Sequence, residues 1–210
     1  MKRSFCLYSK KNVKPDRLII FYRNPELGKV KTRLAATVGD ERALAIYFKL
    51  VSHTREISAQ VLCDKVVYYS DFVDTEDSWS NKEFEKCLQE GHTLGERMKR
   101  AMGDSFGMGY KRVCIIGTDC WELTPQHITD GFMKLKTHDV VIGPAVDGGY
   151  YLLGMKNFLP TLFDNKTWST DSVFSQTLQD VKQLDLSYFL LPALTDVDEE
   201  KDLPQRDRSL

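Results

Sequence analysis

An α/β domain on a mostly parallel sheet is the fold class this sequence predicts, and three observations predict it. Apolar runs of strand length alternate with helical patterns along the chain. Charged residues and glycines follow several of those runs directly, which is where open α/β sheets bind ligands. A length of 210 residues, with 42% hydrophobic and 28% charged content, suits one globular domain with a sizeable core.

The elements follow in order. Leu18, Ile19, Ile20, Phe21 and Tyr22 read as the first buried strand. Between residues 40 and 60, Ala43, Ile46, Tyr47, Leu50, Thr54 and Ile57 recur at three- and four-residue steps, so an amphipathic helix opens after Gly39. Residues 65–69 supply a second strand. The polar stretch 71–83 lacks a period and reads as loop with a short helix. Thr93 and Glu96 have capping-box spacing, opening a helix with Leu94, Met98, Ala101 and Met102 on one face. A strand over 113–117 precedes Thr124 and Pro125, an N-cap and a first-turn proline, and Ile128, Phe132 and Leu135 give that helix its core side. Residues 139–143 form another strand, and the glycines at 148 and 149 permit a tight path into a further one. A helix over 170–182 carries Val173, Phe174, Thr177, Leu178 and Val181 on one face; 188–191 is the last strand and the tail from Glu199 is a charged surface segment. No repeat or composition break divides the chain, so residues 16–205 are expected to be one domain preceded by a basic arm over 1–15.

Charge is unevenly distributed although 29 Lys and Arg nearly balance 30 Asp and Glu. Residues 1–33 hold ten basic and two acidic residues, a net of +8, leaving -9 for the remainder. No apolar run reaches membrane-spanning length and Ser9, Lys10 and Lys11 interrupt any signal-peptide core, so a cytoplasmic protein is expected. Five scattered cysteines without a C-x-x-C point to buried free thiols, not disulfides or zinc.

Three features carry chemistry. The first is the basic segment after the first strand: Lys29, Lys31 and Arg33 alternate, with Gly28 letting the backbone approach a ligand closely. They suit a polyphosphate, although a solvated basic loop would look the same, and the Walker spacing is absent. The second is Asp119, after the all-apolar run 113–116. A carboxylate there is costly unless paired; it either coordinates Mg²⁺ or Mn²⁺ or caps a turn. The third is the acidic stretch after the last strand, where Asp196 and Asp198 flank Val197 and could complete a metal site or merely be solvated.

Taken in order, Pro25, Gly28, Val30 to Leu34, then Gly117 to Cys120, then Gly143, Pro144 and Asp147 to Leu152, then Asp196 to Asp198 with Asp202 and Leu203, resemble the motifs of the bacterial selenodomain-associated, glycosyltransferase-like transferases. The resemblance covers about residues 17–203. It implies a GT-A fold: a Rossmann-like, three-layer α/β/α domain of the nucleotide-diphospho-sugar transferase superfamily, binding a nucleotide and Mg²⁺ or Mn²⁺. The basic segment and the terminal acidic pattern are also similar to those of phospholactate guanylyltransferases, which tips the reading toward nucleotidyl transfer from an NTP to a small phosphorylated or hydroxyl acceptor. A glycosyltransferase using a nucleotide-sugar is the alternative.

Residue by residue, the resemblance makes Asp119 the first metal ligand and Asp198 the second, with Asp196 as substitute. It makes Lys31 and Arg33 the phosphate grip, beside Gly28, Lys29 and Thr32. Gln89, Leu94 and Gly95 fall near the nucleobase; Asp147, Gly148, Gly149 and Tyr150 fall at the acceptor, walled by Trp168 and Thr170. Trp121 replaces the usual proline and Glu199 the usual threonine. A nucleic-acid-binding module is disfavoured, because the basic residues do not run along a helix or interleave with several aromatics and the acidic body would repel a long polyanion.

Overall fold

The structure is a computed structural model describing residues 15–205, so the expected basic arm, Pro15 apart, lies outside the described residues, as does Cys6. Seven strands form one sheet in the order β3-β2-β1-β4-β6-β5-β7: β1 (Asp16–Tyr22), β2 (Asp64–Tyr69), β3 (Phe84–Leu88), β4 (Arg112–Ile116), β5 (Val140–Pro144), β6 (Tyr150–Met155) and β7 (Tyr188–Leu190). Only β6 runs antiparallel to its neighbours. The short turn from β5 cannot provide the crossover that a parallel partner needs.

Period-two alternation splits the strands between two cores. Leu18 and Ile20 of β1, Val67 and Tyr69 of β2, and Cys114 and Ile116 of β4 face one side, covered by α2 (Asp40–Ala59) and α4 (Pro125–Lys134). Ile19, Val66, Tyr68, Val113 and Ile115 face the other, covered by α3 (Leu94–Gly107) and α5 (Val173–Gln183). These strands are apolar on both faces because both are buried. Each fully buried Leu or Ile contributes about 1.5–3 kcal/mol. The expected α/β/α sandwich is the observed one.

A third, smaller core positions the site. Leu34 of α1 (Thr32–Val38), Ala43, Ile46 and Leu50 of α2, and Val197 and Leu203 from the C-terminal segment pack together. The basic segment and the terminal acids are thereby tied to one sheet edge, the carboxyl ends of β1 and β4, where the strand order reverses.

Four local expectations change. Residues 71–83 contain no helix, and the strand β3 follows at the sheet edge. Thr32–Val38 is helical where a loop was expected. Leu94 is not a core residue of α3 but stands 41% exposed, while Met98, Ala101 and Met102 are buried as expected. The charged tail hides Leu203, which is 3% exposed. Thr93 caps α3 by accepting from the Glu96 N–H, and Glu96 reaches back to the His92 N–H, one residue earlier than in a strict capping box. Cys63, Cys114 and Cys120 are buried thiols, Cys87 is half-buried, and none of the four is in a disulfide.

Candidate active site

The carboxyl edge opens into a cleft of about 870 Å³, within the range of small-molecule sites. A side pocket of about 250 Å³ adjoins it, lined by Lys31, Thr32, Tyr47 and Thr118. Phe21, Arg23, Arg33, Asp119 and Asp198 line both spaces.

Lys31 is the centre of the arrangement. It precedes α1 in the left-handed region at φ 50°, a conformation that costs a non-glycine residue roughly 1–2 kcal/mol. Flanking Val30 and Leu34 are buried, and the strained turn sends the Lys31 side chain inward. Its ammonium lies 2.6 Å from Asp119 Oδ1 and 3.5 Å from Asp198 Oδ1, with the side chain 6% exposed. Burial opposes that charge, but Asp119, then Asp198 and Asp196, outweigh burial and hold the ammonium above its ordinary value. Arg33 reaches the other oxygen of Asp198 at 2.7 Å.

The acids are brought together by backbone. The Val197 N–H donates to the Asp119 carbonyl at 2.9 Å, and Cys120 bridges to Asp196, so residues 196–198 run along the end of β4. Val197 is buried in the third core; its flanking acids both line the cleft. Asp196 Oδ1 is buried with no hydrogen-bond partner. Burial first, and then Asp119, Asp147 and Asp198, push its carboxyl up to about 7, with Lys31 pulling the other way. Four carboxylates thus crowd one region served by a single buried ammonium.

A divalent cation fits this region by chemistry: hard oxygen donors, excess negative charge and one oxygen without a partner. Among the described residues no group of three or more His, Cys, Asp or Glu forms a ready-made metal cage. Mg²⁺ commonly takes one or two carboxylates and completes its shell with water and substrate phosphates, so two acids suffice for such a site. The Cys120 thiol also lines the cleft, but burial pushes it up to about 12, leaving it a poor nucleophile.

The remaining residues singled out from sequence divide. Gln89, Leu94, Asp147, Gly149, Tyr150, Trp168 and Thr170 line the large cleft and Thr32 the side pocket. The Gln89 amide is already committed, donating to the Tyr22 and Tyr68 carbonyls. Gly95 lies directly beneath Trp168: a Cβ there would collide with the indole. The segment expected at the base and the wall expected at the acceptor therefore touch. Gly148 holds a turn at φ 91°, and its carbonyl accepts from the Phe174 N–H at 2.9 Å; a Cβ would strike the Asp171 carbonyl. Gly148 thus packs that turn against the segment leading into α5. Lys29 and Gly28 do not line either space: Lys29 is solvent-exposed and paired with Glu26 at 2.7 Å, and Gly28 sits beside the Asp40 side chain. Arg23, Arg97 and Asp171 line the cleft without having been expected there.

Comparison with known proteins agrees with this fold. A protein from Desulfovibrio desulfuricans G20 that carries the provisional name nucleotide-diphospho-sugar transferase superposes with a TM-score of 0.84 at 32% identity, covering 90% of this chain and 84% of that one. The inositol-1-phosphate CTP transferase of T. maritima superposes at 0.59 with 12% identity, over 90% and 92% of the two chains. The 4-diphosphocytidyl-2C-methyl-D-erythritol synthase of Anaerococcus prevotii gives 0.58 with 10% identity, over 89% and 92%. At such identities the last two establish the shared fold alone. No match was found among curated proteins. No helix among the described residues is long and apolar enough to cross a membrane. The family model described as an uncharacterized protein conserved in bacteria, DUF2064, matches residues 53–170, more than half of the sequence, and the chain belongs to that family.

Proposed function

We propose that the protein is a divalent-metal-dependent nucleotidyltransferase that moves a nucleotidyl group from an NTP to a small acceptor, as the similarity to phospholactate guanylyltransferases implies. One observation supports the reading: Lys31 and Arg33 pair with Asp119 and Asp198 at the wall of a side pocket adjoining the main cleft, so cations and carboxylates meet where a metal-bound phosphate would lie. The pocket's 250 Å³ equals about eight water volumes, the scale of a diphosphate's nine heavy atoms.

Asp119 and Asp198, with Asp196 as the alternative second acid, would hold Mg²⁺ or Mn²⁺, and the bound ion would neutralise phosphate charge as a Lewis acid. The chain's own residues do the rest. Lys31 and Arg33 stabilise charge gathering on the departing pyrophosphate, and Thr32 and Thr118 offer hydroxyls in the same pocket. Asp147, whose Oδ1 accepts from the Gly149 N–H, faces the acceptor side and orients an acceptor hydroxyl for in-line attack on the α-phosphorus. Trp168 walls that side and excludes water. Catalysis is positioning and electrostatic stabilisation, with no covalent enzyme intermediate.

A glycosyltransferase reading has one specific support, the name carried by the relative at 32% identity. The two readings release different products. Incubating the protein with each NTP or nucleotide-sugar, Mg²⁺ or Mn²⁺ and a panel of small acceptors should release pyrophosphate. Free nucleoside diphosphate from a sugar donor would favour the alternative. A metal-dependent thermal shift with nucleotides is the preceding binding test, and its absence across the panel would overturn both.

A further inference from the structure

We infer that Arg23 is a donor-binding residue of this site, the side chain that takes the polyphosphate where the main cleft meets the side pocket. The inference rests on the nucleotide reading above and adds a residue that the sequence patterns did not indicate.

Arg23 follows the last residue of β1 and lines both spaces. Its main chain is fastened on both sides. The Tyr47 hydroxyl, on a residue 2% exposed, donates to the Arg23 carbonyl at 2.7 Å and accepts from the Arg23 N–H at 3.2 Å. The next residue, Asn24, is 7% exposed; its side chain donates to the Phe72 carbonyl and accepts from the Asp71 N–H, both at 3.0 Å. The Arg23 side chain itself is exposed and, among the described residues, has no hydrogen-bond or ion-pair partner. An unpaired guanidinium on a hydrogen-bonded backbone is an arrangement in which little main-chain ordering remains to be lost on binding.

The other cations of the cleft are occupied. Lys31 faces Asp119 and Asp198, and Arg33 faces Asp198. Arg97 donates to the Gly91 carbonyl at 3.0 Å and to Gln89 Oε1 at 3.5 Å. Among the described residues that line the cleft, Arg23 is therefore the cation without a hydrogen-bond or ion-pair partner for its side chain. A guanidinium recognises phosphate through paired N–H donors, so the ligand class is a di- or triphosphate lying across the junction.

Isothermal titration of the full chain with inorganic tripolyphosphate, in chelator and at low salt, tests the assignment. Arg23→Gln should weaken binding about tenfold or more, as loss of a charged hydrogen bond implies. Arg23→Lys should fall between, keeping the charge but not the fork. Lys111→Gln, an equal charge change at the opposite edge of the sheet, should bind as the unaltered protein does. Thermal unfolding of Arg23→Gln should match the parent, because the side chain is exposed. Equal affinity in Arg23→Gln and the parent, or an equal loss in Lys111→Gln, would overturn the assignment. So would a parent protein that fails to bind tripolyphosphate; if it still shows a metal-dependent NTP shift, the proposed function stands without Arg23.

Discussion

The Lys31 ammonium lies 2.6 Å from the Asp119 carboxylate, inside a site that is otherwise overfull of acids. The pair acts as an internal counter-ion, and removing its cation leaves Asp119 and Asp198 without their shared partner. Lys31→Met should therefore lower stability by about 1 kcal/mol, since Asp119 is 45% exposed and Asp198 keeps Arg33. If a divalent cation takes the same place, Mn²⁺ should restore much of that loss. Thermal unfolding of both proteins across a Mn²⁺ series measures it; equal Mn²⁺ responses would separate Lys31 from the metal region.

Asp196 gives the site a pH signature. Its carboxyl, ordinarily near 3.8, is pushed up to about 7, first by burial and then by Asp119. The folded state therefore holds a proton that the unfolded state releases, so this group's contribution is fully present below about pH 4 and is lost as pH rises through 7. Asp196→Asn keeps the shape without the charge. Its melting temperature relative to the parent should climb between pH 4 and pH 8 and then level off. A difference that stays flat over this range would contradict the assignment.

Gly95 and Trp168 offer a test that separates packing from stability. Alanine suits a helix better than glycine by about 1 kcal/mol, yet a Cβ at Gly95 collides with the Trp168 indole. Gly95→Ala should shift Trp168 fluorescence and weaken nucleotide binding while changing the melting temperature little. Adding Trp168→Ala should remove the clash, so the double variant should bind no worse than Trp168→Ala alone.

How much of this was legible depends on where each residue's conformation is decided. β1, β2 and β4 announce themselves because both faces are buried and their runs 18–22, 66–69 and 113–116 are wholly apolar or aromatic. β3 does not: at the sheet edge only Phe84 is buried, and Glu85 and Lys86 resemble a loop. α1 is equally opaque, since Thr32, Thr37 and Val38 are poor helix formers and Lys31 enters at positive φ; its helix exists because Leu34 packs against Val197 and Leu203. Lys31, Arg33, Asp119 and Asp198 could be named because their type and position after strands carry chemistry. Arg23 could not, because its place at the cleft is fixed by main-chain contacts to Tyr47, and by those of Asn24, with residues distant in sequence. Lys29 shows the converse: alternation with Lys31 implies a shared direction only if the segment is extended, and here a turn carries Lys29 outward to Glu26.

Arg33 and Asp198 separate stability from function. Their 2.7 Å pair joins a half-buried carboxylate to a guanidinium that is 66% exposed, and exposed pairs contribute only about 0.2–1 kcal/mol. Arg33→Gln should therefore unfold within a few degrees of the parent. In the proposed reaction the same side chain meets charge that grows as pyrophosphate departs, and losing one such contact costs about 10²-fold in turnover. The loss should fall on kcat more than on KM, because the charge develops in the transition state. A rise in KM alone would make Arg33 a ground-state binding residue, and a large stability loss would make the pair structural.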